Sequence, residues 1–366
     1  MLRALAENGD AEQRDHAHAS LEASAQFRGE RLGAGQIGAM IAVPAGERRR
    51  TIYDARHGRD LPGKIVRAEG GRAVGDEAAD EAYDGAGKTY DFYRRVLGRN
   101  SIDGRGLRLD ATVHYGQRFD NAQWNGRQMI YGDGDGKLFE RFTKSLDVIA
   151  HELTHGVTQY SAALAYSGEP GALSEHFSDV FGVLVRQYSQ KQTAAKADWL
   201  VGSGIFTARV NGAAVRSMKA PGSAYDDQVL GKDPQPWHMR DYRRMPDDNG
   251  GVHVNSGIPN HAFYLAAVAL GGKAWEVAGR IWYAALTTKL RARATFRDCA
   301  RATRDAAAEL YGAGAEPQRA VEQAWRAVGL DVAAVADFGP RLPISEPAAE
   351  LPTLRPARAR RVRHAN

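Results

Sequence analysis

Two histidines and a glutamate lie close together in the mostly apolar segment DVIAHELTHGVT, at His151, Glu152 and His155. On a helix, residues four apart share a face, so both imidazoles can reach one metal ion. Glu152 is rotated by about 100° around the axis, which places its carboxylate beside the ion without making it a ligand. A catalytic zinc holds three protein ligands and a water, whose proton such a carboxylate can accept. The spacing predicts a metal site, and a buried helix carrying polar residues is the alternative.

A second apolar segment, GALSEHFSDVFGVLV, offers a third ligand. Glu175 and Asp179 are four residues apart and share a face if this segment is helical. Large apolar residues crowd the same helix, and buried carboxylates need partners. We expect Glu175 to complete a His/His/Glu site and Asp179 to accept the other ring N–H of a ligating histidine. An ordinary solvated acidic face is the alternative.

A further histidine, His253, follows a Gly pair in DDNGGVHVNSG. This composition predicts a loop at the edge of a cleft, from which His253 could donate a proton or a hydrogen bond to a developing oxyanion. Asp248 is close enough in the chain to orient it. A structural role is the alternative reading of a lone histidine. Cys299 is the only cysteine, so neither an intrachain disulfide nor a thiolate zinc cluster can form.

The elements around these residues divide the chain. Residues 12–31 form a charged, Ala-rich helical stretch, and LRLDATVHY alternates apolar and polar residues as a half-buried strand does. From about Leu146 onward the pattern becomes helical, and Thr295 with Asp298 predicts a capping box. The later helical segments predicted from apolar spacing are residues 260–270, 273–286, 296–310 and 317–328.

Composition limits the remaining possibilities. The formal charge of +5 is matched by five arginines of the C-terminal tail, so the rest of the chain is close to neutral and a basic nucleic-acid surface is not expected. Neither a membrane-spanning apolar run nor a signal peptide is visible in the sequence. Residues 339–366 are rich in Pro and Arg, and we expect them to be disordered.

Together, HELTH, Glu175 in GALSEHFSD and DNGGVHVNSG resemble one family, the thermolysin-like zinc endopeptidases, over residues 51–330. NAQWNGRQMIYGDGDG is similar to the family's substrate-binding edge strand. The resemblance implies an α+β, two-lobed zincin (gluzincin) fold, with a β-rich N-terminal lobe, a helical C-terminal lobe and the zinc helix between them. It also implies a monomer that cleaves peptides and proteins before bulky hydrophobic residues.

The resemblance assigns roles to individual residues. One Zn²⁺ would be held by the two motif histidines and Glu175, with Glu152 as the base and with His253 and Tyr166 stabilising the oxyanion. Asn121 and Ala122 would pair with the substrate backbone, and Arg216 would hold a substrate carbonyl. The residues implied to line an apolar specificity pocket are Phe139, Val148 and Val215.

Residues 1–50 resemble the short propeptide of the protealysin-type branch, which implies a self-processing proenzyme whose own N-terminal segment acts as an inhibitor or folding aid. The usual Pro-Pro-containing inhibitory motif does not precede the helix in this sequence. We expect cleavage near residues 50–52. The remaining divisions are 51–165 for the N-terminal lobe with the zinc helix, 166–338 for the helical lobe and 339–366 for the tail.

Calcium is a second departure from the family pattern. Asp147 matches a calcium-ligand position, but Arg186 stands where the family has a second acid, so a doubly occupied Ca²⁺ site is doubtful. Asp133 and Asp135 in YGDGDG resemble the start of a calcium loop, although a turn is favoured because no glutamate closes the loop. GAGQIG, residues 33–38, fits a dinucleotide fingerprint, but no strand precedes it and a flexible hinge is favoured.

Two rival functions remain at this point. An aminopeptidase could use a related zinc helix, but it would need an acidic group for a free α-amine, and the sequence offers no such motif near the site. A nucleic-acid-binding module could use the Arg-rich tail. The family implies secretion, and a cytoplasmic location is the alternative given the N-terminal sequence.

Overall fold

The computed structural model describes residues 1–34 and 47–332. Two helices come first, α1 over Leu2–Asn8 and α2 over Ala11–Ala34. The helix predicted over residues 12–31 lies within α2 and is confirmed. The predicted disordered tail and most of GAGQIG lie outside the described residues.

A five-stranded sheet follows in the order β2-β1-β3-β5-β4. β1 and β3 are parallel, as are β3 and β5, whereas the outer strands β2 and β4 run antiparallel to their neighbours. The strand predicted in LRLDATVHY is β3, but it is central and Thr112 on its predicted polar face is fully buried. The half-buried assignment holds for the other polar residues, because Arg108 is exposed and Asp110 and His114 are partly exposed. Thr112 is the exception, since it is covered by Pro62, to whose carbonyl it donates, and by Gln128. The strand bounds are Arg50–Asp54, Lys64–Ala68, Leu109–Val113, Ala122–Trp124 and Met129–Tyr131.

A 21-residue helix, α3 over Glu77–Leu97, packs against β1, β3 and α4. The Asp76 side chain caps its first turn by accepting a hydrogen bond from the Ala79 amide. Gly98 ends the helix in the left-handed conformation with φ 70°. The sheet-containing region thus carries a long helix that the sequence analysis did not single out.

The motif helix α4 spans Leu146–Gln159 and the second motif helix α5 spans Gly168–Gln190. The two pack against each other, and α4 also contacts α3 and β4. Almost every residue of α5 from Gly171 to Gln187 is buried. This burial forces the carboxylates of α5 to find partners inside the protein.

The C-terminal region is helical, and each later segment predicted from apolar spacing overlaps a helix. The second of these begins at Ala278 rather than residue 273 because residues 274–277 form a turn, and it continues as a π-helix over Ala285–Lys289. The predicted capping box of Thr295 and Asp298 is confirmed at the start of α9. The bounds of α6 to α10 are Asp248–Asn255, Gly257–Leu270, Ala278–Ala284, Phe296–Tyr311 and Glu316–Ala327.

Two 3₁₀ helices, Phe142–Lys144 and Met239–Asp241, and two small antiparallel strand pairs complete the described elements. β6 pairs with β7 and β8 with β9. These two-residue strands are Leu200–Val201, Arg216–Ser217, Asp226–Asp227 and Gly231–Lys232. Cys299 is buried in the core of α9, as expected for a small apolar side chain. Among the described residues, no helix is long and apolar enough to cross a membrane.

Candidate metal centre and peptidase site

Three side chains from α4 and α5 converge on one point. His151 Nε2 lies 3.4 Å from Glu175 Oε2, and His155 Nε2 lies 3.3 Å from Glu175 Oε1. All three residues are at least 95% buried. Tetrahedral ligands at the usual zinc distances are separated by about 3.4 Å, so this spacing fits one zinc ion.

Hydrogen bonds on the far side of each imidazole fix its orientation. His151 Nδ1 lies 2.8 Å from Asp179 Oδ1, and His155 Nδ1 lies 3.2 Å from Ser174 Oγ. Each histidine can therefore present Nε2 to a metal ion as the neutral tautomer. The sequence analysis anticipated the position of Asp179 but not that of Ser174.

Asp179 is fully buried and is itself held by two other side chains. Arg216 donates to both of its oxygens at 2.7 and 2.8 Å, and Asn260 Nδ2 donates to Oδ2 at 2.8 Å. Burial acts to raise the pKa of Asp179, but the Arg216 guanidinium and His151 hold it well below the ordinary value. The carboxylate is thus ionised where it meets His151.

Glu152 lies on the neighbouring face of α4, as its position in the motif predicts. Its Oε2 accepts a hydrogen bond of 3.0 Å from the Trp124 amide of β4, and Oε1 lies 3.9 Å from His151 Nε2. Burial raises the pKa of Glu152, while the charge of His151 acts in the opposite direction. A carboxylate with a raised pKa is a better proton acceptor near neutral pH.

Tyr166 and His253 lie next to the Glu175 carboxylate. Tyr166 OH donates a short hydrogen bond to Glu175 and lies 3.2 Å from His253 Nε2. Asp248 bonds both the backbone amide and Nδ1 of His253, at 2.9 and 2.5 Å. Burial lowers the pKa of His253, but the carboxylates of Asp248 and Glu175 outweigh it and raise the pKa overall. A protonated imidazole can donate a hydrogen bond into the site.

His253 does not lie in an open loop. It belongs to α6, whose start is interrupted by left-handed residues at Asn249, Gly250 and Gly251 with φ from 51° to 85°. The two glycines adopt this conformation without a side-chain penalty. The bend brings Asp248 back toward the His253 ring, which explains why a glycine pair precedes this histidine.

The edge strand β4 contacts the N-terminal helix. Asn121 Nδ2 donates to Ser24 Oγ at 2.8 Å, and Gln123 Nε2 donates to the Ser24 carbonyl at 3.1 Å. Further along α2, the Arg31 guanidinium lies 4.4 Å from the centre of the Tyr166 ring. Ala122 next to Asn121 is buried. Helix α2 therefore covers the edge that the resemblance assigns to substrate.

The residues expected to line a specificity pocket differ in exposure. Val148 and Val215 are partly buried, whereas Phe139 is only 1% exposed and packs against Phe142 and Phe206. The Arg216 guanidinium forms an ion pair with the Asp179 carboxylate, which lies beside the candidate metal position.

Asp147 is fully buried at the start of α4, where Arg186 of α5 pairs with it at 2.9 Å. The same guanidinium donates to Ser203 Oγ at 2.7 Å and to the Leu200 carbonyl at 2.8 Å, and it also pairs with Asp198. The positively charged Arg186 guanidinium therefore already lies among these oxygen atoms. Asp135 accepts three backbone amides, from residues 137–139, as a turn-stabilising aspartate does.

Sequence reasoning missed three contacts within the site. Ser174 and Asn260 carry common polar side chains on helices, and their spacing alone does not distinguish them from core residues. The Trp124 contact uses a backbone amide, which has no sequence signal. For Ser174, its position next to Glu175 on a buried helix was the available clue.

The three candidate metal-binding groups and the side chains around them define a class of protein. Two neutral imidazole nitrogens and one carboxylate, with a non-ligand glutamate beside them, are typical of a His-Glu-x-x-His metallopeptidase. Both histidines have fixed partners, and their Nε2 atoms lie within 3.4 Å of the Glu175 carboxylate, close enough for the three groups to share one ion. The residues therefore fit a catalytic zinc.

Comparison with known proteins identifies the family. The thermolysin metallopeptidase catalytic domain matches residues 38–159, and the alpha-helical domain of the same family matches residues 162–330. The chain belongs to the thermolysin metallopeptidase family, and it is a zinc metalloendopeptidase with an α+β fold. This confirms the resemblance based on HELTH, GALSEHFSD and DNGGVHVNSG.

Several relatives are similar over most of the chain. An extracellular metalloprotease of Pectobacterium carotovorum is 54% identical over 79% of this chain and 83% of its own length. Protease PrtS of a Photorhabdus strain is 51% identical over 77% of this chain and 76% of its own length. A thermolysin of Alicyclobacillus acidocaldarius is 41% identical over 76% of this chain and half of its own length.

A solved structure extends the similarity to the N-terminal segment. The precursor of protealysin, a metalloproteinase from Serratia proteamaculans, has a TM-score of 0.82 and 49% identity. The match covers 90% of this chain and 97% of that one. The likeness is thus to a precursor and not only to a mature catalytic region.

Proposed function

We propose that this endopeptidase uses Glu152 as its general base, with His253 and Tyr166 stabilising the tetrahedral oxyanion. One observation carries the proposal: Glu152 lies beside the convergent His151, His155 and Glu175 donors, with its other oxygen anchored 3.0 Å from the Trp124 amide. That anchor holds a free carboxylate oxygen toward the metal position without adding it to the ligand set.

Zinc held by His151, His155 and Glu175 would act as a Lewis acid that polarises the scissile carbonyl and makes water more acidic. Glu152 accepts the proton of the attacking water, and the pKa shift caused by its burial favours that transfer. His253, whose pKa is raised by Asp248, and the Tyr166 hydroxyl donate hydrogen bonds to the oxygen that becomes negative. Glu152 then passes the proton to the leaving amine.

The substrate class follows from the cleft residues. Val148, Val215 and Phe139 would form an apolar pocket, and cleavage before bulky hydrophobic residues is the proposed specificity. Asn121 and Ala122 would pair with an extended peptide once α2 has left the edge strand. Arg216 is held by Asp179, so its contact with a substrate carbonyl would use a nitrogen outside that pair.

We also propose that the chain is made as a self-processing proenzyme. The contacts of Ser24 with β4 and of Arg31 with Tyr166 support inhibition by α2. A cut near residues 50–52 would fall within the strand Arg50–Asp54, which lies between β2 and β3, and a folded strand is a poor protease substrate. We place the cut N-terminal to Arg50.

Secretion and calcium remain part of the proposal. The description of a relative as extracellular supports secretion of this chain. The Arg186 guanidinium among four oxygen-bearing partners supports the view that a fixed cation stands in for calcium beside Asp147.

Chelation tests the metal requirement. Removing metal from the mature protein with EDTA should abolish hydrolysis of an N-blocked hydrophobic peptide, and Zn²⁺ should restore it, whereas Mg²⁺ should not. Comparison of N-blocked with free peptides distinguishes an endopeptidase from an aminopeptidase. Full turnover of the N-blocked peptide by metal-free protein would overturn the proposal.

A further inference from the structure

A second cluster of metal-ligating side chains lies outside the catalytic site. His57, His114 and Asp133 each offer a ligand atom, and these atoms all lie within 4.8 Å of one another. His114 Nδ1 lies 2.9 Å from Asp133 Oδ1, and His57 Nδ1 lies 3.4 Å from Asp133 Oδ2. The catalytic mechanism uses none of these residues.

The sheet topology brings the three residues together. β1, β3 and β5 are parallel neighbours, so their carboxyl ends meet at one edge of the sheet. His57 follows the end of β1, His114 the end of β3 and Asp133 the end of β5. The His57 amide also donates to the His114 carbonyl at 2.8 Å, which fixes the two loops against each other.

Both histidines have unusual backbone conformations. The φ angles of His57 and His114 are 61° and 53°, in the left-handed region that few non-glycine residues adopt. Such conformations cost free energy and concentrate where a side chain must be aimed in a set direction. Here they aim two imidazoles toward the same carboxylate.

A second carboxylate completes the pattern of a metal-binding histidine. Asp76 Oδ2 lies 3.0 Å from His114 Nε2, on the side of the ring opposite Asp133. A carboxylate in this position orients a ligating imidazole and makes it more basic. The spacing of the His57 and Asp133 atoms also matches the separation of about 3.4 Å expected between tetrahedral zinc ligands.

We propose that His57, His114 and Asp133 form a second site, for a divalent transition-metal ion such as Zn²⁺, with Asp76 orienting His114. His57 is 57% exposed at its side chain, so the site opens to solvent and water completes the coordination. The mixed imidazole and carboxylate donors suit zinc better than calcium, which prefers oxygen ligands alone.

The site would stabilise the sheet edge next to the substrate strand. Gly132, the neighbour of Asp133, donates to the Asn121 carbonyl at 2.9 Å. A metal ion that binds only the folded protein raises the thermal midpoint. This effect is independent of catalysis by Glu152.

Calorimetric titration of the full-length protein, loaded with one equivalent of Zn²⁺ and dialysed, tests the proposal. Wild-type protein should bind a second, weaker equivalent of Zn²⁺ and gain thermal stability from it. His57→Gln should lose that equivalent, and His18→Gln, at an exposed helical histidine, should retain it. All these proteins should keep the first equivalent of Zn²⁺ and should show wild-type peptidase activity once the N-terminal segment is removed.

The Asp76→Asn variant tests whether Asp76 orients His114 without disturbing the folding of α3. Asparagine caps α3 as well as aspartate does, so the helix is preserved, while the carboxylate facing His114 is lost. The second equivalent should bind at least about tenfold more weakly in this variant. A wild-type protein that binds no second equivalent, or a His57→Gln variant that still binds it, would overturn the proposed site.

Discussion

Asp179 shows how much of the site depends on a single buried carboxylate. It orients His151, pairs with Arg216 and accepts a hydrogen bond from Asn260. A buried charge with all its partners in place is stable, whereas loss of one partner leaves an expensive unpaired group. The orientation of His151, which would hold the zinc, is therefore set by residues that do not themselves reach the metal position.

Asp120 is a buried carboxyl that behaves differently. Burial and the charge of Asp135 raise its pKa from 3.8 to about 8, and it lies beside α2, where its amide donates to Ser20 Oγ. Because the folded pKa exceeds the unfolded value, the folded protein binds more protons between the two values. The free energy of unfolding should therefore fall as the pH rises through that range.

Thermal unfolding against pH measures this effect, in an inactive Glu152→Gln background that prevents autolysis. Asp120→Asn should flatten the decline between pH 3.8 and about 8, because asparagine carries no charge. Glu7→Gln, at an exposed carboxylate, should leave the profile unchanged. An equal decline in the Asp120→Asn variant would show that another group is responsible.

The sequence predicted which side chains belong to the site better than it predicted the contacts between them. His151, Glu152, His155 and Glu175 follow from helical spacing, which is a local property. The pairing of Arg216 with Asp179 joins residues 37 positions apart. It depends on how β7 packs against α5, and local spacing carries no information about that packing.

At the scale of elements, α2 is held to the catalytic region by a small aromatic cluster. Phe27 is 1% exposed and packs edge-on against Tyr115, with ring centroids 5.3 Å apart, and against Phe119. Removing a buried Phe side chain costs about 3–5 kcal/mol. Much of that loss should weaken the docking of α2.

Phe27→Ala should therefore raise the peptidase activity of freshly purified, uncut chain and speed removal of the N-terminal segment. Activity of the uncut chain on a blocked peptide, with mass spectrometry to follow cleavage, measures both effects. Glu22→Ala, at an exposed position on the same helix, is the matched control. If Phe27→Ala kept the wild-type basal activity, inhibition by α2 would be contradicted.

Arg186 of α5 joins its helix to two other parts of the fold, Asp147 on α4 and the segment from Asp198 to Ser203. Arg186→Ala would leave the buried Asp147 without its cation. Breaking a buried pair in this way costs about 3–5 kcal/mol. Chemical unfolding of the inactive Glu152→Gln protein should show a loss of that size.

The control for Arg186 is an exposed ion pair. Arg108 pairs with Asp110 at 2.7 Å, but its side chain is 52% exposed, so Arg108→Ala should cost less than about 1 kcal/mol. Added Ca²⁺ should not stabilise the protein with Arg186 in place. A strong Ca²⁺ effect on that protein would contradict the role assigned to the guanidinium.

At the scale of the whole molecule, the order of motifs along the chain was enough to predict the α+β fold and its family. The alternating pattern of LRLDATVHY identified β3 but not the burial of Thr112 on its polar face, where Pro62 and Gln128 cover the hydroxyl. Helix α3 was missed although Asp76 and Gly98 bracket it as caps. These errors concern which faces become buried, and that depends on packing between distant elements.

The account as a whole rests on zinc held by His151, His155 and Glu175 with Glu152 as a base that is not a ligand. Glu152→Gln removes the base and keeps the size of the side chain. Zinc content and turnover of an N-blocked peptide, measured on the same purified variant, test this most directly. We expect full zinc content with turnover reduced by about 10²–10⁴-fold. Turnover near the wild-type rate, or loss of the zinc together with the activity, would contradict the account.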